Sequence, residues 1–415
     1  MLGEPRLLRQ PGLIRSVLVA GILLPAIPAA HAGGEIYGTI ATTAGETLRG
    51  PIRWDRNEVF WDDLLDATRR EPIEKVEGKR EFNFSIFGLR LGGPREEFTQ
   101  HGLSIPFGHL RSLESVSDQE ARLVLKRGKQ VLVHSRSTDI GQSLREVIID
   151  DRERGAVSLD WSSIRRVEFV QGPDPGRDGE RLFGKVVTAD GTLEGFIVFD
   201  RGESLAGDPL TGRSAGARKQ IRLGDVSVLE PTGGSSARIV AGAPAAGFAL
   251  EELNGGSGHR SVTVTVGGVG SVEIDWDDIR RIDFARPPAS PRYDTFDGGR
   301  VLSGTVFPRN GKPVAGEIIW DRDESSTYDA VDGETGVLDY AIPFANIHAI
   351  KRKSARSSEI VLTQGASLEL SGTNDVSDDN RGVIVRLADG TTRELEWDEI
   401  DRVEFHASTP ATSGS

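Results

Sequence analysis

The chain contains no cysteine. Disulfides, thiolate metal sites, thiol nucleophiles and a lipid-modified N-terminal cysteine are thereby excluded. Aromatic residues make up only 6% of the 415 positions, methionine occurs once, and glycine reaches 50 residues. That balance favours turn-rich β structure over packed helix bundles. Apolar runs are short, and none reaches the roughly 20 residues of a membrane helix, so no membrane span is expected. Also missing are an H-E-x-x-H motif, a histidine pair at i,i+4 and a phosphate-cradling Gly-Lys motif. Seven histidines are scattered, and only His109 and His348 lie near equivalent places.

The first 32 residues carry Arg6, Arg9 and Arg15, then an apolar stretch from Val17 to Ile27, then Ala30-His31-Ala32. Basic, apolar and small residues in that order predict a secretory signal peptide cleaved near Ala32. The product is expected in the periplasm or outside the cell. The whole chain carries −13. Losing Arg6, Arg9, Arg15 and Glu4 removes a net +2 and leaves −15. Such a charge repels nucleic acid and anionic membranes.

One passage recurs three times. It reads Leu159-Asp160-Trp161-Ser162-Ser163-Ile164-Arg165-Arg166-Val167-Glu168-Phe169, and returns around Trp276 (Ile274 to Phe284) and Trp397 (Leu395 to Phe405). Repetition fixes the organisation of the chain. Each copy is preceded by a Gly-containing strand (Tyr37-Gly38, Phe183-Gly184, Ser303-Gly304) and a turn at Ala44-Gly45, Asp190-Gly191 or Asn310-Gly311. The last two turns are hairpin signals. A mid-repeat block, Ile105-Pro106-Phe107-Gly108-His109-Leu110, is matched by Ile221 to Val226 and by Ile342 to Ile347. Each repeat thus reads as two half-units.

The repeats span 35–170, 181–286 and 299–406, separated by Pro- and Gly-rich linkers, with a disordered tail at 407–415. About 24 extra residues within 62–104 lengthen the first repeat, with a short helix expected from Trp61 to Arg70 before Pro72. In the closing block, period two breaks once and resumes. This predicts a strand, one 3₁₀ turn capped by Asp277 in the second copy, and another strand, with Trp276, Ile279, Ile282 and Phe284 inward. A WD-type propeller needs a period of about 40–45. Trp276 and Trp397 lie 121 residues apart.

That strand–turn–strand signature resembles the end of an SH3-like or Sm-like small β-barrel, and Phe183 to Asp200 resembles the opening of an Sm-type domain. The resemblance implies an all-β chain of three tandem repeats, each a pair of small barrels with short 3₁₀ turns and few helices. Sm proteins bind RNA in the cytosol, a role that export and a charge of −15 oppose.

The signature aromatic-Asp-Arg-x-Glu recurs as Trp54-Asp55-Arg56-Asn57-Glu58, Phe199-Asp200-Arg201-Gly202-Glu203 and Trp320-Asp321-Arg322-Asp323-Glu324. Turn chemistry alone accounts for it, with Asp bonding turn amides and Arg pairing with Glu in the open. A patch for a ligand or partner is the functional alternative. Trp54 and Trp320, half exposed at strand ends, and Trp61 are its first candidates. Asp321-Arg322-Asp323 opens like a calcium loop, but Ser325 and Ser326 stand where a ligand and a glycine are required. Looser calcium binding by Asn374 to Asn380 stays open. Gly212-Arg213-Ser214-Ala215-Gly216 matches the hydrolase string G-x-S-x-G, yet lacks the strand before and helix after that an elbow needs.

The expected function is a non-enzymatic scaffold or binding module of the cell envelope, with protein or envelope-polymer partners and no cofactor. The alternatives are a carboxylate-dependent hydrolase and a peptidoglycan- or glycan-binding SH3-like protein.

Overall fold

The computed structural model describes residues 34–55, 58–72, 98–135, 139–173, 179–199, 202–242, 244, 246–256 and 258–406. The expected signal peptide and tail lie outside them. The fold is all-β, and no helix of the described residues is long and apolar enough to cross a membrane.

The first stretch supplies β1 (Tyr37–Thr42), β2 (Thr47–Trp54), β3 (Leu64–Pro72), β4 (Phe98–Pro106), β5 (Leu110–Ser117), β6 (Glu120–Leu125), β7 (Gln130–His134), β8 (Val147–Asp151), β9 (Gly155–Leu159) and β10 (Ile164–Phe169). They form one antiparallel sheet in the order β4-β3-β7-β6-β5-β10-β1-β2-β8-β9. Residues 303–405 repeat the same order of pairing with ten strands of their own. Residues 183–284 repeat it with eight. There the hairpin Pro209–Ser214/Ala217–Arg222 hangs on through a single bridge, Arg213 to Glu251.

Short turns force these sheets to curl. The run β9-β8-β2-β1-β10 laid flat is about 19 Å wide at 4.8 Å per strand. Yet β9 reaches β10 through the 3₁₀ turn Trp161–Ser163, and such a turn advances only about 2 Å per residue. The two ends of the run must therefore approach each other. Phe107–His109 does the same between β4 and β5. Chain, not hydrogen bonds, joins the ends: β9 and β10 do not pair, and no sheet closes on itself. The expected closed barrels are thus seen only as curled, open sheets.

Six of the 3₁₀ turns, each joining two strands, bury their first side chain: Trp161, Trp276, Trp397, Phe107, Leu223 and Phe344. Asp160 caps its turn by accepting from the Ser163 amide at 2.9 Å. The expected cap by Asp277 is not formed. Asp275 holds the capping position there without a side-chain bond, and Asp277 sits inside the turn. Ile279 and Ile282 are buried as expected, while Phe284 is only half-buried.

The segment expected to be a helix, Trp61 to Arg70, is a turn followed by β3. Antiparallel residue pairs with β4 fix it as a strand, with Leu65, Ala67, Thr68 and Arg69 buried. Nine residue pairs join β3 to β4, against six in the matching hairpin Ala330–Thr335/Leu338–Pro343. The extra length therefore extends a hairpin. Residues 73–97 lie outside the described residues.

The second and third stretches share an 18-stranded sheet. Their junction pairs Ser271 with Ala341, Val272 with Tyr340 and Glu273 with Asp339.

Candidate functional site

The aromatic-Asp-Arg-x-Glu passages are tight loops between strands. Trp54 and Glu58 exchange backbone hydrogen bonds at 2.8 and 3.0 Å, and Trp320 and Glu324 do so at the same distances. Asp55 (φ 42°) enters the left-handed region, as do Asp321 (φ 44°) and Arg322 (φ 68°). Both aspartates are fully buried. Both carboxylates reach an arginine from a distant part of the chain. Asp55 accepts from the Arg145 backbone at 2.7 Å and from its guanidinium at 2.7 and 3.0 Å. Asp321 accepts from the Arg381 amide, its guanidinium at 2.8 and 3.1 Å, and Asn374 Nδ2.

The half exposure expected of Trp54 and Trp320 is not found. Trp54, Trp61 and Trp320 are fully buried, because the curled sheets wrap over the strand ends. Trp54 Nε1 donates to the Asp139 carbonyl at 2.9 Å and its ring meets Phe107 at 5.7 Å. Trp320 packs on Trp397 at 5.1 Å. Arg322 pairs with Glu394 at 3.4 Å, not with Glu324. Glu203 keeps its loop closed through its carbonyl, which accepts from Phe199 at 2.9 Å. Arg56, Asp200 and Arg201 lie outside the described residues. The G-x-S-x-G string is the tip of the Pro209–Arg222 hairpin, with Ala215 and Gly216 in the left-handed region.

Repeat comparison exposes residues that the motif search missed. Asp63, Asp208 and Asp329 each stand five positions after the loop glutamate and accept two backbone amides, at 2.7 and 2.8, 2.9 and 2.9, and 2.8 and 2.9 Å. Arg145 and Arg381 belong to Arg-x-Val strings shared with Arg260 at the same place. Asp139 and Asp375 accept from the amides of the equivalent residues Asp66 and Asp332, at 2.6 and 2.8 Å. Spacing across the three copies was the available signal.

These residues assemble two equivalent carboxylate triads. Asp55, Glu58 and Asp139 bring oxygens within 4.8 Å of one another, as do Asp321, Glu324 and Asp375. Such a set has the donors for a hard cation. In each, however, an arginine already neutralises the first aspartate. Burial, reinforced by Asp139 and Asp63, pushes Glu58 up to about 9. Burial pushes Glu324 up likewise, with Asp375 and Asp323 adding to it. With no ion bound, burial and the neighbouring carboxylates favour a proton on the glutamate. Asp321 and Asp323 both face Arg381, so the calcium-like opening is directed at the chain's own guanidinium.

Glu58 also borders a cavity of about 480 Å³ formed by all three stretches. Eight carboxylates line it, Glu58, Asp62, Asp63, Asp66, Glu273, Asp332, Glu334 and Asp339, and no lysine or arginine does. Burial raises Asp63 to about 6 against the pull of Arg181, and raises Asp332 to about 6 with help from Asp66. Crowded carboxylates in a poorly solvated space hold protons to limit repulsion.

A second concavity lies where β1, β10 and the Phe107–His109 turn meet. It is filled by the chain's own segment 291–299. Tyr293 packs on Trp61 at 4.5 Å, donates its hydroxyl to the Leu110 carbonyl at 2.8 Å and donates its amide N–H to Gln171 Oε1 at 2.8 Å. Phe296 lies edge-on to His109 at 5.2 Å and covers Gly108, where a Cβ would come 2.3 Å from the ring. Lys126 donates to the Tyr293 and Phe296 carbonyls, the latter at 3.0 Å. Burial drops His109 to about 4, leaving it neutral, and its Nδ1 accepts from the Gly298 amide at 3.1 Å.

No family model, curated protein or solved structure matches the chain.

Proposed function

We propose that the chain is an exported, non-enzymatic scaffold or binding module of the cell envelope, working in the periplasm or outside the cell after cleavage near Ala32. Its three tandem repeats, each a pair of small SH3-like barrels, offer the same groove in three versions, and polypeptide or envelope-polymer partners dock there. One observation carries this reading: segment 291–299 sits in the groove of the first repeat through aromatic packing and directed hydrogen bonds. A fold that grips an aromatic segment in cis, here the 3₁₀ turn Tyr293–Thr295, has the chemistry to grip one in trans. Affinity capture by residues 33–415 from the cell envelope tests it. Recovery of a stoichiometric partner supports the reading; turnover in a broad hydrolase screen, lost in an acidic-residue variant, overturns it.

A carboxylate-dependent hydrolase is the second reading, favoured by the eight-carboxylate cavity. Glu58, held protonated to about 9, would donate to a leaving group while an ionised neighbour acts as base or nucleophile. Glu58→Gln must then abolish turnover without loss of fold.

A further inference from the structure

The groove filled in the first stretch has counterparts in the other two. Phe107, Gly108, Leu110 and Phe169 correspond to Leu223, Gly224, Val226 and Phe284, and to Phe344, Ala345, Ile347 and Phe405. All of these line cavities, of about 610 Å³ in the second stretch and about 70 Å³ in the third. Ligand sites run from roughly 300 to 1,000 Å³. Only the second is wide enough for a large side chain.

Three differences explain the width. Ala206 stands where Trp61 fills the floor of the first groove, and Gly242 stands where Lys126 crosses it. Asp225 replaces His109 and is exposed. No segment of the described chain covers the second groove: Gly108 is buried beneath Phe296, whereas Gly224 is exposed. The floor is apolar, with Leu182, Leu223 and Val226 buried and Phe183 and Phe284 half-buried. Arg222 and Arg286 stand on the rim together with Glu180 and Asp225.

The occupant of the first groove shows what this architecture accepts. It bends through the 3₁₀ turn Tyr293–Thr295, carries aromatic rings three residues apart, and sets Asp294 and Asp297 beside them, with Arg127 and Arg300 reaching Asp297 at 3.4 and 2.8 Å. The tail 407–415 contains no aromatic residue, so it does not supply a matching segment.

We infer that the groove lined by Leu223, Val226 and Phe284 is a docking site for a short turn-forming segment of a partner protein bearing aromatic side chains three residues apart next to acidic ones. This rests on the binding-module reading above and names the partner chemistry for one of its three grooves. The rings enter the space that Trp61 occupies in the first groove, and the acidic residues meet the Arg222 and Arg286 rim. The third groove, at about 70 Å³, takes no such segment.

The probe is a fluorescent peptide with the sequence of residues 289–299, compared with the same peptide carrying Ala for Tyr293 and Phe296. Titrated against residues 33–415, the aromatic peptide is expected to bind at least tenfold more tightly than its control. Ser227→Trp and Ala285→Trp, each an exposed residue of one wall, are expected to weaken binding at least tenfold with melting unchanged. Equal binding of the two peptides, or binding indifferent to both variants, overturns the inference. So does a dimer abolished by Ser227→Trp, which makes a second copy the occupant. Tighter peptide binding after Phe84→Ser and Phe87→Ser also overturns it, because the chain's own segment then competes. Envelope capture that proceeds undiminished with Ser227→Trp sinks this site and leaves the binding-module reading standing.

Discussion

The grooves of the first and second stretches share a backbone and differ in what fills them. In the first, Trp61, His109 and Lys126 converge on Tyr293 and Phe296. In the second, Ala206, Asp225 and Gly242 hold those positions and the space is open. The recurrent residues, Phe107 and Phe169 against Leu223 and Phe284, build the curl. The residues that change between copies decide whether the groove is furnished or vacant. Repetition specifies the fold, and departure from it specifies binding.

The strongest way to break the comparison is at its wall. Arg181 is buried between the Phe60 and Phe196 rings, 4.3 Å from each, with both Asp62 oxygens at 2.7 and 2.8 Å. Arg181→Met leaves Asp62 and Asp63 without their cation, and urea denaturation is expected to show a loss of roughly 3–5 kcal/mol. Its counterpart in the first stretch, Glu35, is raised to about 7 by burial; Glu35→Met should cost nothing measurable at pH 7. Equal losses would show that the two walls are held alike.

Next in size is emptying the filled groove. Tyr293→Ala with Phe296→Ala removes two half-buried rings and is expected to lose roughly 2–4 kcal/mol. The vacated groove should then bind the 289–299 peptide as an added site, doubling the stoichiometry by calorimetry. A stoichiometry unchanged from wild type would deny that the grooves are equivalent.

The loops give a pH-dependent contrast. Glu58 is raised from 4.5 to about 9, so the folded chain holds a proton that the unfolded chain releases. Its contribution is complete below pH 4.5 and is lost as pH rises toward 9. Glu58→Gln with Glu324→Gln should therefore stabilise the chain at pH 8 by on the order of 2 kcal/mol and flatten the decline between pH 5 and 8. A urea midpoint that falls as steeply in the double variant would refute the assignment. The smallest effect belongs to Lys126→Met, about 1–2 kcal/mol, since its bonds to two carbonyls are partly solvated. Amide exchange should quicken at Gly298 while Gly224 is unaffected.

Much of the strand pattern was legible because period-two alternation interrupted at Trp161, Trp276 and Trp397 has few structural solutions. The capping residue was misplaced at Asp277, since Asp275 and Asp277 are chemically alike and only backbone angles separate them. Trp61 to Arg70 mimics a helix in composition, yet its neighbours in the sheet impose a strand. Trp54 and Trp320 end strands, a place that suggests half exposure; curling, a property of the whole sheet, buries them. The triads were half legible: Asp55, Glu58, Asp321 and Glu324 stood in the motif, whereas Asp139 and Asp375 arrive from more than 50 positions away. Nothing in Gly270–Asp275 announces that it pairs with Leu338–Pro343, because edge strands carry no label for their partners. Segment 291–299 was recognised only as a linker by its prolines.

That segment is fastened at both ends, to Phe284 of one strand and to Ser303 of another. Tethering on short chains gives a local concentration in the millimolar range. A free competitor of equal intrinsic affinity, present at micromolar levels, would occupy the first groove in about one molecule in a thousand. The vacant groove imposes no such handicap, so a rare partner meets one accessible site on a molecule that carries three versions of it.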